Sequence, residues 1–203
     1  EVFRMTYFVS FCLHCFCFAC FWTLFEPFIT LWIGAHYVLD KGTVFVVLVN
    51  FYLYGTQGAI DSFVNASGLF WRTRYKPVFE CLINLGVSVY LARTMGIIGV
   101  FIGTLTSYIF TAWIGAVVLY KDQFKIKSWR YFVCFAVYFG INIVNALLGQ
   151  WVCSVVFKGT DMLSLFGRLG MVAVITACFI LLIFWKTDVF RMLRNMVASK
   201  VKK

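Results

Sequence analysis

The chain has 203 residues, of which 63% are hydrophobic and 20% aromatic, and its mean hydropathy is +0.90. Soluble domains are about half apolar and about one-quarter charged. Since only 13% of these residues are charged, the composition excludes an ordinary soluble domain and predicts a membrane protein.

Apolar stretches separated by short charged joints recur along the whole sequence. Each is long enough, alone or with its flanks, to cross a hydrocarbon core of about 30 Å as a helix. The runs are too continuous for the alternating strands of a barrel, which are about ten residues long. We therefore predict an all-α fold, a polytopic membrane helical bundle of about six transmembrane helices. The predicted spans are Thr6–Phe25, Val44–Phe70, Val78–Leu91, Ile97–Leu119, Tyr131–Phe157 and Leu163–Trp185.

The first span raises two expectations. Glu1 lies just before it, which indicates a processed product or a fragment. At its other end, Glu26-Pro27 predicts a helix stop, because proline lacks an N–H and disfavours helical backbone in the preceding residue. Phe28–Gly34 is then either a kinked extension or an interfacial segment. No joint is long enough for a soluble unit, so residues 1–203 are predicted to form a single membrane domain.

The net charge of +10 is explained by where the cations lie in the sequence. Alternate joints and ends hold 14 of the 18 basic residues, as the positive-inside rule requires. We predict that both termini of this segment are cytoplasmic and that residues 186–203 form a basic cytoplasmic tail. The tail is interpreted as a stop-transfer anchor or, less favoured, as a basic helix on anionic membrane lipid. No nucleic-acid-binding fold is recognisable, so no nucleic acid partner is expected.

One face of the second span is polar. At 100° per residue, seven positions fall within little more than about a quarter of the helix circumference. Polar groups are costly against lipid, so this stripe must face other helices or a wet cavity. We favour a substrate cavity over interhelical hydrogen bonding because Asp61 is ionisable. The seven residues are Asn50, Tyr54, Gln57, Gly58, Asp61, Asn65 and Gly68.

The fifth span carries a weaker stripe of the same kind, made of Tyr138, Asn142, Asn145 and Gly149. Phenol and amide groups can donate to sugar hydroxyls and accept from them. Packing between helices and cavity lining are equally consistent with these four residues.

Two further charged residues lie near the ends of spans. Glu80 follows Lys76 by four residues, and we favour a structural ion pair with Lys76 or Arg72. Arg168 lies about a turn and a half inside the last span, where snorkelling is favoured over substrate contact. The small residues of Gly99–Gly103 predict close helix packing.

Sites for enzyme chemistry are not recognisable, so the chain is not predicted to be an enzyme. Cys12, Cys15, Cys17 and Cys20 spread over roughly 200° of a helix and cannot converge on a metal, so no metal site is expected. No phosphate-cradling glycine motif ending in Gly-Lys-Ser/Thr occurs, and neither does a Ser/His/Asp arrangement.

A basic, aromatic hinge joins two glycine-studded apolar segments. It reads Gly68-Leu-Phe-Trp-Arg-Thr-Arg-Tyr-Lys-Pro77, and is followed by Asn84-Leu-Gly and by Arg93-Thr-Met-Gly-Ile-Ile-Gly-Val-Phe-Ile-Gly-Thr104. Phe28-Ile-Thr-Leu-Trp-Ile-Gly34 and Tyr37-Val-Leu precede it. Together these sequence motifs resemble the C-terminal half of bacterial polysaccharide-repeat-unit flippases, the Wzx-type members of the multidrug/oligosaccharidyl-lipid/polysaccharide exporter superfamily. About half of the chain carries the resemblance.

The resemblance implies translocation of an undecaprenyl-linked oligosaccharide to the outer leaflet of the bacterial cytoplasmic membrane by alternating access. It implies a second six-helix lobe upstream, so that this chain is one lobe of a two-lobe flippase fold. The lipid phosphates or a gate would involve Arg72, Arg74, Arg168 and Glu80, and a coupling H⁺ or Na⁺ replaces nucleotide hydrolysis, with no other cofactor.

Three alternatives stay open. A relative that exports another lipid-linked precursor or a drug would look the same at this level. An integral-membrane glycan ligase or polymerase would need a substantial extracytoplasmic loop, which this sequence lacks. A non-transporting assembly subunit would need no wet polar stripe.

Overall fold

The computed structural model of the protein describes residues 2–159 and 161–201, and every long element among them is a helix. A 3₁₀ turn at Ala35–Tyr37 and a π-helical turn at Leu119–Gln123 join some of these helices. Within the described residues there is no strand. The helices are α1 Val2–Trp32, α2 Lys41–Ala66, α3 Phe70–Thr73, α4 Lys76–Met95, α5 Ile97–Val118, α6 Trp129–Val156, α7 Met162–Phe184 and α8 Asp188–Val201.

Six of these helical segments are long and apolar enough to cross a membrane. The all-α, six-span prediction is confirmed, and the chain has the helices of a multi-pass membrane protein. The third segment includes α3 and α4, which explains why the sequence alone made it look short. The six segments are Val2–Trp32, Lys41–Ala66, Phe70–Met95, Ile97–Gln123, Trp129–Val156 and Met162–Phe184.

The predicted helix stop at Pro27 is wrong. Helix α1 continues through Pro27, which is buried, and ends at Trp32. Proline removes one backbone hydrogen bond, but ending the helix there would leave several carbonyls unpaired in an apolar environment, which costs more. Phe28 and the residues after it are therefore an extension of the helix, and α1 reaches about 46 Å in length.

Helices α1 and α7, with the second half of α6 and with α8, form one compact unit, Glu1–Val38 with Ile141–Lys203. The start of α1 packs on the end of α7, where Phe8 and Phe11 place their rings 4.9 and 5.7 Å from that of Phe184. Trp22 Nε1 donates to Gln150 Oε1 at 2.7 Å and links α1 to α6. The described termini of this unit therefore lie at the same end of it.

Helices α2 to α5, with the first half of α6, form the second unit, Leu39–Gly140. Gly96 lies between α4 and α5 with φ of 68°, a backbone conformation that glycine adopts without strain. Beyond this turn, Gly99 and Gly103 face α4 so closely that a Cβ on Gly103 would stand 2.7 Å from the backbone nitrogen of Ser88. The predicted small-residue packing face is confirmed, and its partner is α4.

Candidate functional site

The polar stripe of α2 divides into buried and exposed residues. Asn50 Nδ2 donates to the carbonyl of Phe101 at 2.9 Å, and Gln57 Nε2 donates to that of Ala112 at 3.1 Å. Both side chains are buried and hold α2 against α5. These two members therefore make the interhelical hydrogen bonds that were the less favoured interpretation.

The remaining members of the stripe are wholly or partly exposed on the surface of this unit. Tyr54 is 67% exposed, Gly58 and Asn65 are exposed, and Asp61 is half-exposed. Gly68 does not belong to the stripe, because α2 ends at Ala66 in a Schellman motif. There, Gly68 takes φ of 70° and the N–H of Leu69 donates to the carbonyl of Val64 at 3.0 Å.

That turn and the short helix α3 reverse the chain and bring the first residue of α4 back to α2. Lys76 Nζ donates to Asp61 Oδ1 at 2.8 Å and to Oδ2 at 3.1 Å. The lysine side chain is only 8% exposed, whereas that of Asp61 is 46% exposed. Gln57 Nε2 lies 3.4 Å from the same carboxylate. A buried cation thus holds a carboxylate that still reaches the surface of this unit.

Glu80 is not paired with Lys76 or Arg72 as the sequence favoured. Lys76 pairs with Asp61, and Arg72 pairs with Asp122. The fold brings each of these acids, which are distant in the sequence, next to its basic partner. Glu80 Oε2 instead accepts from Thr111 Oγ1 of α5 at 3.4 Å. A cleft of about 410 Å³ opens beside it, lined by Pro77, Glu80, Cys81, Asn84 and Leu85.

Tyr108 of α5 completes this arrangement. Its ring centroid lies 6.1 Å from that of Tyr54, edge to face, and it is within electrostatic reach of both Asp61 and Glu80. Three helices therefore contribute to one group of polar side chains in the second unit. We call it the polar cluster: Tyr54, Asp61, Lys76, Glu80, Tyr108 and Thr111.

The two hinge arginines lie near the end of this unit and have partners of their own. Arg72 Nη1 is 2.6 Å from Asp122 Oδ2 and links the hinge to the joint after α5. The guanidinium of Arg74 lies 4.4 and 4.6 Å from the ring centroids of Trp71 and Tyr75. Both arginines are exposed.

Helix α6 supplies the predicted second stripe, and its members differ in surroundings. Tyr138 is half-buried in the second unit. In the first unit, Asn145 is fully buried and its Nδ2 donates to Thr176 Oγ1 at 3.0 Å, joining α6 to α7. Asn142 is also fully buried, and its amide has no partner among the described residues. The packing interpretation therefore fits Asn145 better than cavity lining does.

Arg168 of α7 contacts backbone at the end of α6. Its Nη2 donates to the carbonyls of Phe157 at 2.7 Å and Gly159 at 3.1 Å. Carbonyls at a helix C-terminus carry partial negative charge, so the guanidinium stabilises this end of α6. Its Nε is buried without a partner in the described part of the chain.

Sequence patterns missed Lys76, Tyr108 and Thr111 as members of the cluster. Lys76 stands four residues before Glu80, the spacing of a local helical pair, so the sequence pattern pairs it with Glu80 and not with Asp61. Tyr108 and Thr111 are three residues apart on α5 and so share a face, but no charge marks them as unusual.

The chain matches no protein-family model, no curated protein and no solved structure. The motifs around the hinge and the polar cluster are therefore the basis on which a function is assigned.

Proposed function

We propose that the protein is a membrane transporter of the flippase type, which moves an undecaprenyl-linked oligosaccharide across the bacterial cytoplasmic membrane. The hinge motifs, the six apolar helices and the polar cluster support this proposal. In it, the chain acts with an upstream six-helix lobe, and the cluster faces that lobe across a hydrated passage.

The observation that carries the proposal is the half-exposed Asp61 within a helix long and apolar enough to cross a membrane. A charged side chain costs about 2.5–3.5 kcal/mol at the centre of a spanning helix, which is an upper bound for Asp61 because it lies nearer the end of α2. Since Asp61 is 46% exposed and Tyr54 more so, contact of this face with lipid would be unfavourable. A wet passage removes that cost, whereas a non-transporting subunit has no need of such a surface.

The position of the cluster fits a passage that begins near the hinge. Asp61 lies five residues before the end of α2 and Tyr54 twelve before it. At 1.5 Å per residue, they stand about 7.5 and 18 Å from that end. The cluster therefore reaches from the hinge toward the middle of α2, which in this proposal crosses the bilayer.

The chemistry of the cluster suits a glycan. The carboxylates of Asp61 and Glu80 accept hydrogen bonds from sugar hydroxyls, and the phenol groups of Tyr54 and Tyr108 donate or accept. In this proposal, Arg72 and Arg74 receive the lipid diphosphate at the surface, and Asp61 or Glu80 carries a coupling H⁺ or Na⁺. No nucleotide hydrolysis is involved.

Reconstitution tests the proposal directly. The chain is inserted into vesicles together with the upstream lobe, and the vesicles contain a fluorescent undecaprenyl-diphosphate oligosaccharide. A lectin added outside measures how fast the glycan arrives in the outer leaflet. We expect movement well above that in protein-free vesicles. No increase, or movement of an amphiphilic drug with none of the glycan lipid, would contradict the flippase assignment.

One variant with a matched control connects the activity to the cluster. Loss of one neutral hydrogen bond is worth about 0.5–1.5 kcal/mol, so we expect Tyr54→Phe to slow transport about two- to tenfold. Tyr90→Phe changes a similarly exposed phenol outside the cluster and serves as control.

A further inference from the structure

The chain after the last span forms a separate helix. Helix α7 ends at Phe184, and the Thr187 hydroxyl donates to the Phe184 carbonyl at 2.7 Å within the turn that follows. Helix α8 then begins at Asp188 and lies beside α1. A stop-transfer anchor needs only charges after a span, so an ordered second helix calls for another explanation.

Helix α8 is amphipathic. At 100° per residue, Val189, Met192, Leu193 and Met196 fall within an arc of about 100°. The first three are half-buried, and Met196 is 45% exposed. Asp188, Arg191, Arg194 and Asn195 occupy the opposite side of the helix, and all four are exposed. An apolar arc opposite a basic one is the pattern of a helix that lies in a membrane interface.

Trp185 fixes α8 at the end of α7. The Phe190 ring lies 5.7 Å from the Trp185 ring, and the Arg194 guanidinium lies 5.9 Å from it. Trp185 is itself exposed, as tryptophans at membrane interfaces are. The contacts of Trp185 with residues 190 and 194, one turn apart, set which side of α8 faces outward.

The charge of this segment is strongly positive, and its cations Lys186, Arg191 and Arg194 are exposed. Residues 186–203 contain six basic residues and one acidic residue. Arg191 Nη1 is 3.9 Å from Asp188 Oδ1, a long and exposed pair that leaves the cation free for other anions. Arg4 at the start of α1 is exposed as well, at the end of the unit where α8 lies.

We propose that α8 is a lipid-binding helix that lies on the membrane surface, with Arg191 and Arg194 on the phosphates of anionic phospholipids. Its apolar arc enters the boundary between headgroups and acyl chains. Charge complementarity identifies the partner, because a basic segment is attracted to anionic headgroups by an amount equivalent to about fivefold in affinity per cation. This role does not depend on what the protein transports.

The experiment places a reporter on α8 in the whole chain. A solvatochromic fluorophore is attached to Met196→Cys after the eight native cysteines have been replaced. The protein is reconstituted in phosphatidylcholine vesicles with or without phosphatidylglycerol, and quenching by neutral acrylamide is measured. We expect the fluorophore to be shielded only in vesicles with phosphatidylglycerol. Salt at about 1 M, where the Debye length is about 3 Å, should remove the shielding.

Charge variants separate lipid binding from simple packing. The Arg191→Gln/Arg194→Gln variant should weaken association of α8 with the surface about thirtyfold, because two cations are lost. The Arg191→Lys/Arg194→Lys variant keeps both charges and should retain the shielding even though the guanidinium over Trp185 is gone. Lys121→Gln/Lys125→Gln removes two exposed cations elsewhere and should change nothing.

Two results would overturn the proposal. Shielding of equal size in both kinds of vesicle would mean that α8 is covered by its own chain. A fluorophore that stays exposed in anionic vesicles would mean that the segment is only a stop-transfer anchor.

Discussion

Lys76 donates to both carboxylate oxygens of Asp61, at 2.8 and 3.1 Å, and of the two side chains only the lysine is buried. The pair joins the end of α2 to the start of α4 across the hinge. The two residues therefore differ in their access to water, because Asp61 can be hydrated without its partner and Lys76 cannot.

This inequality predicts different effects on stability. Asp61→Asn leaves a buried ammonium without an anion, and we expect a loss of about 1–3 kcal/mol, below the range for fully buried pairs because Asp61 is half-exposed. Lys76→Met leaves an acid that water can reach and should cost under about 1 kcal/mol. Thermal unfolding of the purified protein in detergent measures both. Equal losses in the two variants would contradict the asymmetry.

The contact of α5 with α4 predicts sensitivity at Gly103. A Cβ there would overlap Ser88 of α4, so Gly103→Ala should destabilise the protein by about 1–3 kcal/mol. Gly86→Ala is the matched control, because nothing lies within 4 Å of a Cβ at that position of α4. Unfolding temperatures of both variants test this. Equal tolerance of the two would mean that the helices are not in such close contact.

The cap of α2 predicts a pH dependence. Asp40 accepts hydrogen bonds from the hydroxyl and the backbone N–H of Thr43, and these lower the pKa of its carboxyl below 3.8. A lowered pKa in the folded state means that the cap stabilises fully above the ordinary pKa of the group. This contribution is lost as the pH falls through the lowered value.

We therefore expect Asp40→Ala to lower the unfolding temperature at neutral pH, with a gap from wild type that closes below about pH 4. Asp161→Ala is the control, since Asp161 precedes α7 but makes no side-chain cap hydrogen bond. A gap for Asp40→Ala that persists unchanged to pH 2 would show that the charged carboxylate is not the stabilising group.

The charge distribution predicts sidedness, and the Arg72–Asp122 contact puts the hinge and the joint after α5 at the same end of their unit. Single cysteines at Thr73→Cys and Lys125→Cys, in a background without native cysteines, should resist an impermeant thiol reagent in intact cells. Lys158→Cys, an exposed position on the opposite side in this topology, should react. Labelling of the first two and protection of the third would reverse the orientation.

Much of the fold was predictable because apolar length alone identifies spanning helices. The predicted Ile97–Leu119 and the observed α5, Ile97–Val118, differ by one residue. The end of α1 was missed because the rule that proline ends a helix holds less strictly where an apolar environment makes an early end more costly.

The site was predictable only in part. Periodicity identified Asp61 and its neighbours on α2, but it cannot tell which of them another helix covers. Asn50 and Gln57 are covered by α5, whereas Tyr54 and Asp61 are not. Helix periodicity could not identify Lys76 as the partner of Asp61, because the two residues are 15 apart and meet only through the turn at the hinge.

The central claim is that Asp61 serves the transport path and does more than hold Lys76, and a double variant tests it most directly. Asp61→Asn/Lys76→Met removes both charges, so its unfolding temperature should return close to that of wild type. In the vesicle assay with the undecaprenyl-linked oligosaccharide, we predict that the double variant stays at least about tenfold slower than wild type, a loss of about 1.4 kcal/mol in transition-state stabilisation. Lys76→Met alone should keep most of the activity. Transport at the wild-type rate by the double variant would contradict the account and reduce the pair to a structural contact.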